Sequence, residues 1–392
     1  MKLHIIDKRM FRYIDWLLFA NIMVLVLLSF IAIASALSDP LVEETASLGA
    51  AIDQLEMKIV YQQLSWFGVG MLAMFIILLP DYHAIGEYYR WIYVGFILLL
   101  IAVFLFGSVV NGTKGWFRIG EAGFQPSELG KIAMVVILAK MISNQTKGRE
   151  GGIRKIRQIL PIIGVFIIPL GLIVIQPDMG TALVYVSIFI TMIFVAKTSW
   201  KILVGMLGVL GVALPVTWTL IADWQKARIL SFLGITEGMT AEQIDKFEYQ
   251  SKTAKIAAGS GQVTGKGLFS LGGESRLSSI PEKHTDFIFA STTEAIGFIG
   301  ATILLLLYFT LILRTLYLAT KAKDDFGTLI IFGVLAMTVF HVFQNIGMNI
   351  GVMPITGIPL PFFSYGGSNL LTNLIAFGLV INVSMRRQRW SF

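Results

Sequence analysis

The sequence contains no cysteine, which excludes disulfides, thiolate metal sites and a cysteine nucleophile. Histidine is scarce as well: His4, His83, His284 and His341 are scattered, with no HExxH-type spacing, so a zinc site of that kind is not expected. Charge is the third shortage. Only 14% of the 392 residues are charged, against roughly a quarter in a soluble domain. What fills the gap is 56% hydrophobic residues and a mean hydropathy of +0.76. The apolar runs recur near the length of about 20 residues that a bilayer requires, which makes the chain a polytopic membrane protein. A net charge of +7 hints at nucleic acid in a soluble protein, but here it follows from the loops, and no nucleic-acid partner is expected.

Ten spans are expected, at roughly 14–36, 60–79, 91–108, 127–143, 158–175, 181–197, 201–222, 287–313, 327–349 and 364–384. The class is all-α, a single integral membrane domain over 1–392, with one long outer loop at about 223–286 between spans 7 and 8. Lys2, Lys8, Arg9 and Arg12 precede the first span, whereas Asp39, Glu43, Glu44, Asp53 and Glu56 follow it. The positive-inside rule then puts the N-terminus in the cytoplasm. Alternate connections agree: Lys147, Arg149, Arg154, Lys155 and Arg157; Lys197 and Lys201; Arg314, Lys321 and Lys323; finally Arg386, Arg387 and Arg389. Both termini are therefore expected inside. Ala34-Ser35-Ala36 imitates a signal-peptidase site, but the apolar run before it is longer than a usual signal core.

That parity puts four polar clusters on the outer side: Gly112 to Lys131, Gln176 to Ala182, the long loop ending in His284-Thr285-Asp286-Phe287, and Met353 to Ser368. Any one is ordinary turn chemistry. Four on one face, with only short basic stretches on the other, point to a site at the outer leaflet. The long loop holds eight Lys/Arg and eight Asp/Glu, so any anion binding there needs a particular cation. Its Gly-rich stretch Ala257 to Gly267 lacks GxxxxGK[ST] spacing and reads as a flexible turn, which can line a lipid-pyrophosphate site.

Ionisable residues near the spans each have a plain reading and a sharper one. Glu128 and Lys131, three apart on one helical face, read as an ion pair or as substrate contacts. Asp178 reads as a helix cap. Glu294 is expected to face the protein interior and accept hydrogen bonds. Asp286 can cap the following helix or act as a catalytic carboxylate at the membrane surface, in polar company with Glu282, Lys283 and His284.

Four blocks carry a family resemblance: QPSELGK, QPDMGTAL, PEKHTDFIFA and NIGMNIGVMPITGIPLPFFSYGGS. In type and order they resemble the signature blocks of the SEDS family (shape, elongation, division and sporulation proteins), over nearly the whole chain. Met348 in NIGM, and PITGIPLPF, are closer to the RodA-like elongation branch than to the FtsW-like division branch. The resemblance implies a ten-span peptidoglycan glycosyltransferase of the bacterial cytoplasmic membrane that polymerises lipid II on the outer face. It carries an essential aspartate over to Asp286 and importance to Glu128, Lys131 and Asp178. It also implies a class B penicillin-binding protein, a transpeptidase, as partner within the elongation machinery. Residues 234–250 and the stretch before Pro281 depart from the family pattern.

The implied chemistry suits one carboxylate. The pyrophosphate of lipid II leaves without protonation once its charge is compensated, unlike the leaving group of a glycosidase with its paired carboxylates. A general base for the acceptor hydroxyl is then the remaining need, and Asp286 is the candidate. Compensating charge is expected from a divalent cation, Mg²⁺ or Mn²⁺, or from Arg228, Lys252 or Lys266. A lipid II flippase and a non-catalytic scaffold are the rivals. A transporter needs polar groups across the membrane depth, whereas here they gather on one side.

Overall fold

A computed structural model describes residues 13–37, 57–110, 112–120, 122–147, 152–235, 239–269 and 282–386. The basic residues of the first segment, the acidic run at 39–56, Arg149, Arg387, Arg389 and the family departure at 273–281 lie outside the described residues.

A helix stands at each of the ten expected positions. In chain order the elements are α1 (Trp16–Leu37), α2 (Met57–Leu78), the short α3 (Tyr82–Glu87), α4 (Tyr89–Phe106), strands β1 (Ser108–Val110), β2 (Thr113–Ile119) and β3 (Ala122–Phe124), then α5 (Pro126–Thr146), α6 (Ile156–Ile175), α7 (Met179–Val195), α8 (Trp200–Leu220), α9 (Asp223–Phe232), α10 (Ala241–Ser260), α11 (Ile288–Thr320), α12 (Asp325–Ile350) and α13 (Gly367–Met385). Among the described residues, eight helices are long and apolar enough to cross a membrane. Of the other two, α7 is apolar but has 17 residues, and α5 is made more polar by Glu128, Lys131, Lys140 and its last turn.

The centre of the bundle is α12 and α13, both largely buried, while α8 is almost wholly exposed at the periphery. The central helices carry many of the buried polar side chains. His341, Asn345 and Asn349 lie on α12, and Asn369, Asn373 and Asn382 on α13. Each stays at membrane depth because its hydrogen bonds are made within the protein.

One end of the bundle is stitched by basic residues. Arg314 grips Asp15 with two parallel bonds, its Nη2 2.6 Å and its Nε 3.0 Å from carboxylate oxygens. Tyr82 Oη donates to Asp324 Oδ2 at 2.8 Å, and Arg386 Nε is 3.2 Å from Asp81 Oδ2. At the opposite end the four polar clusters meet. Gln125 bonds Asp178 at 2.7 Å, Gln225 donates to Pro177 O at 2.9 Å, Ser368 Oγ accepts from Gln125 N at 3.0 Å, and Tyr365 N donates to His284 O at 3.0 Å.

Two features add to the sequence reading. The long outer loop carries two helices, α9 and α10. The first polar cluster is a small antiparallel meander, β1–β2–β3, in a fold that is otherwise helical. Its strands are only 3, 7 and 3 residues long; runs that short give a weak period-2 signal. The meander packs against the loop helices, with Trp224 of α9 seated over Gly112.

Candidate active site

Asp286 occupies the last position but one before α11. It does not cap that helix: Phe287 is the N-cap residue, and no side chain bonds the cap. Its backbone is instead held from α12. Asn345 and Asn349, four residues apart and so on one face, each donate from Nδ2 to Asp286 O at 3.0 Å. Asn345 also donates to Ile358 O at 2.8 Å, and Asn349 Oδ1 accepts from Ala290 N at 3.1 Å. Ser364 Oγ donates to the neighbouring Thr285 O at 2.7 Å. The peptide carrying the carboxylate is therefore fixed from two other segments, which leaves the carboxylate itself for other work.

That carboxylate, only partly buried, points at the loop between α12 and α13. A Cβ at Gly357 would lie 3.3 Å from Asp286 Oδ2 and 3.8 Å from Arg228 Nη1, so both charged groups converge on the same bare stretch of backbone. Burial pushes the Asp286 carboxyl up to about 6; Arg228 opposes that rise and Glu282 adds to it. Arg228, on α9, is stacked between Trp224 and Phe247, with its Cζ 5.0 Å and 5.5 Å from the ring centres. Burial pulls its pKa down, while Asp286 and Glu282 pull it up. His284 is neutral at physiological pH, because burial and then Lys283 lower its pKa to about 4.

Several polar atoms around Asp286 are buried and have no partner among the described residues: Arg228 Nε, Glu282 Oε2, His284 Nδ1 and Thr356 Oγ1. Buried polar groups are nearly always paired. Unpaired groups on the residues that flank and face Asp286 fit a site that takes a polar ligand.

Next to this centre lies a buried charge network. Lys131 Nζ is 2.7 Å from Glu128 Oε1 and 3.0 Å from His341 Nε2. Because His341 Nδ1 lies 3.1 Å from Pro359 O, the imidazole donates there and accepts from Lys131 through Nε2. Asn369 donates to the other oxygen of Glu128 at 3.2 Å. Asp178 caps α7, accepting from Thr181 N at 3.1 Å, and takes the Gln125 amide on its second oxygen.

The remaining candidates fall elsewhere. Lys252 is exposed and pairs with Glu248 one turn earlier on α10. Lys266 is bonded at 2.7 Å to Glu294, which is fully buried and also accepts from Ser260 Oγ at 3.2 Å. Of the three cations offered for charge compensation, Arg228 is the one brought to Asp286. Sequence reasoning missed Asn345, Asn349 and His341. Their signal was there: amides spaced four apart, and an imidazole four residues before them, on a helix that has to sit in lipid.

Comparison with known proteins agrees with this architecture. The sequence model of the cell cycle protein family FtsW/RodA/SpoVE matches residues 15–389. The chain is 34% identical over 333 residues to peptidoglycan glycosyltransferase MrdB of Escherichia coli, covering 82% of this chain and 86% of that protein. It is 37% identical over 330 residues to stage V sporulation protein E of Bacillus subtilis, again over 82% and 86%. Among solved structures, a chain of a peptidoglycan synthase complex, described as coordinating polymerization and crosslinking, superposes with a TM-score of 0.75 at 29% identity, over 96% of this chain and 99% of that one. Rod shape determining protein RodA of Thermus thermophilus superposes with a TM-score of 0.68 at 27% identity, over 96% and 98%.

Proposed function

Because the chain belongs to the cell cycle protein family FtsW/RodA/SpoVE and is a peptidoglycan glycosyltransferase, we propose that Asp286 is the general base of glycan polymerisation from lipid II. As the acceptor hydroxyl attacks the anomeric carbon of the donor sugar, its proton passes to Asp286. The new glycosidic bond forms while the bond to the lipid pyrophosphate breaks, and the electron pair leaves on the phosphate oxygen. Inversion at the anomeric carbon follows from this single displacement. Base catalysis is worth about 10²–10⁴-fold.

The observation that carries the reading is the convergence of Asp286 and Arg228 on Gly357. A carboxyl with a pKa of about 6 is ionised at neutral pH yet basic enough to accept a proton in the transition state. Arg228, partly buried and held by two aromatic rings, supplies fixed positive charge for the departing pyrophosphate. A resident cation is not supported by the side chains, since no group of three or more His, Asp or Glu gathers among the described residues. Mg²⁺ or Mn²⁺ enters the proposal only as a companion of the substrate phosphates, and no step depends on it.

The protein is a multi-pass membrane protein. We place it in the cytoplasmic membrane with both termini inside and the Asp286 end outside, from the distribution of Lys and Arg among its connections. A class B penicillin-binding protein within the elongation machinery is the proposed partner, in line with the synthase complex whose chain it resembles. The deciding experiment gives purified protein in detergent lipid II and no ion gradient. Glycan strands are the expected product; movement of lipid II across reconstituted vesicles without any polymer contradicts the proposal.

A further inference from the structure

Within α11, a helix of 33 residues, Gly297 has φ 66° and ψ −168°, so the helix is broken rather than bent. A break inside a membrane helix strands backbone groups that lipid cannot satisfy. The Gly-rich segment after α10 takes them up. Lys266 N donates to Glu294 O at 3.0 Å and Gly267 N to Ala295 O at 2.9 Å, while Phe298 N donates to Gln262 O at 2.8 Å and Ile299 N to Val263 O at 3.1 Å. Backbone lies directly on backbone: a Cβ on Gly297 would run into Gly265 N, and one on Gly265 into Ala295 O. The side chains add a second fastening, Lys266 and Ser260 both bonding the buried Glu294 carboxylate.

The two bodies joined by this clip both reach the site. The first half of α11 follows directly on Asp286 and is almost entirely buried. Helix α10 packs Ala254 and Ala257 against Phe287 and Ala290 at the start of α11, and its Phe247 backs the Arg228 guanidinium. The stretch that reads in sequence as a flexible turn or a phosphate lining is a splice.

We propose that Lys266 and Glu294 are positioning residues, which lock the Asp286-bearing half of α11 to α10 so that Asp286 and Arg228 keep their mutual geometry, with Gly297 separating this unit from the rest of the helix. The proposal rests on the reading of Asp286 and Arg228 as the reacting pair. It removes Lys266 from the candidates for direct pyrophosphate contact.

The absence of cysteine allows a direct test in the full chain. Ala257 on α10 and Ala290 on the Asp286-bearing half of α11 pack in one buried cluster, so Ala257→Cys with Ala290→Cys can be bridged by oxidation. Bridged protein that keeps Lys266 is expected to retain polymerisation within about threefold. Lys266→Met is expected to lower kcat at least tenfold per folded molecule, with KM for lipid II little changed, and bridging is expected to restore the rate. A loss that the bridge does not rescue overturns the proposal, because Lys266 then acts on substrate; so does an unchanged kcat in Lys266→Met. Should Lys266→Met fail to accumulate, Ser260→Ala is read the same way, with a smaller loss and the same rescue. Failure of the base reading shows separately, as activity surviving in Asp286→Asn whether or not the bridge is formed.

Discussion

Asn345 holds two carbonyls at once, Asp286 O at 3.0 Å and Ile358 O at 2.8 Å, and so ties the peptide of the candidate base to the loop it faces. Asn345→Leu keeps the volume but orphans Ile358 O, a loss worth about 1–3 kcal/mol, and leaves Asp286 O to Asn349 alone. The expected outcome is a lower unfolding temperature in detergent together with a polymerisation rate reduced at least tenfold. Equal stability and rate in the variant would remove the clamp from the account.

Glu128 and Lys131 are fully enclosed, with side-chain exposures of 7% and 1%. Removing one partner strands the other charge, a cost of about 3–5 kcal/mol for a buried pair. Both single alanine variants are expected to be poorly folded or inactive. A double-mutant cycle on unfolding temperature should give strong coupling; additive losses would instead support independent contacts with substrate.

Arg228 lowers the Asp286 pKa against the effect of burial. A base must be deprotonated, so the rate is expected to fall as pH drops through about 6, the value for Asp286. Arg228→Gln removes the opposing charge, and the acidic limb should move to higher pH while the maximum rate also falls. His284 does not generate that limb, since its pKa is already lowered to about 4. A pH–rate profile of the Arg228→Gln enzyme with an unmoved acidic limb would separate the two residues.

The ten helices and the Glu128–Lys131 pair were legible because both depend on local spacing, a hydropathy window in one case and a three-residue step in the other. Asp286 was legible as a carboxylate at a membrane boundary. What holds it was not: Asn345 lies 59 residues further along, on another span. The partner of Lys266 is 28 residues away, so its charge looked available for phosphate. The break at Gly297 left no trace in an apolar run that continues through it. Hydropathy registers composition, and a single glycine hardly changes it.

Stability should reveal the cost of keeping Asp286 ready. Its folded pKa of about 6 lies above the ordinary 3.8, so its contribution to stability is present below that lower value and lost as pH rises through the higher one. Asp286→Asn carries no charge to bury. It is expected to melt above the wild type at neutral pH, with the difference closing near pH 4. A variant that melts lower than wild type at neutral pH would mean that the ionised carboxylate is stabilised by its surroundings.

Asparagine matches aspartate in shape and caps helices equally well, but it cannot take up a proton. The most direct measurement is glycan polymerisation from lipid II by purified Asp286→Asn protein, folded as judged by its melting curve, across a titration of Mg²⁺ and Mn²⁺. The account predicts a loss of at least 10²-fold that no metal concentration restores. Near-normal polymerisation by the asparagine variant, with or without added metal, would contradict it.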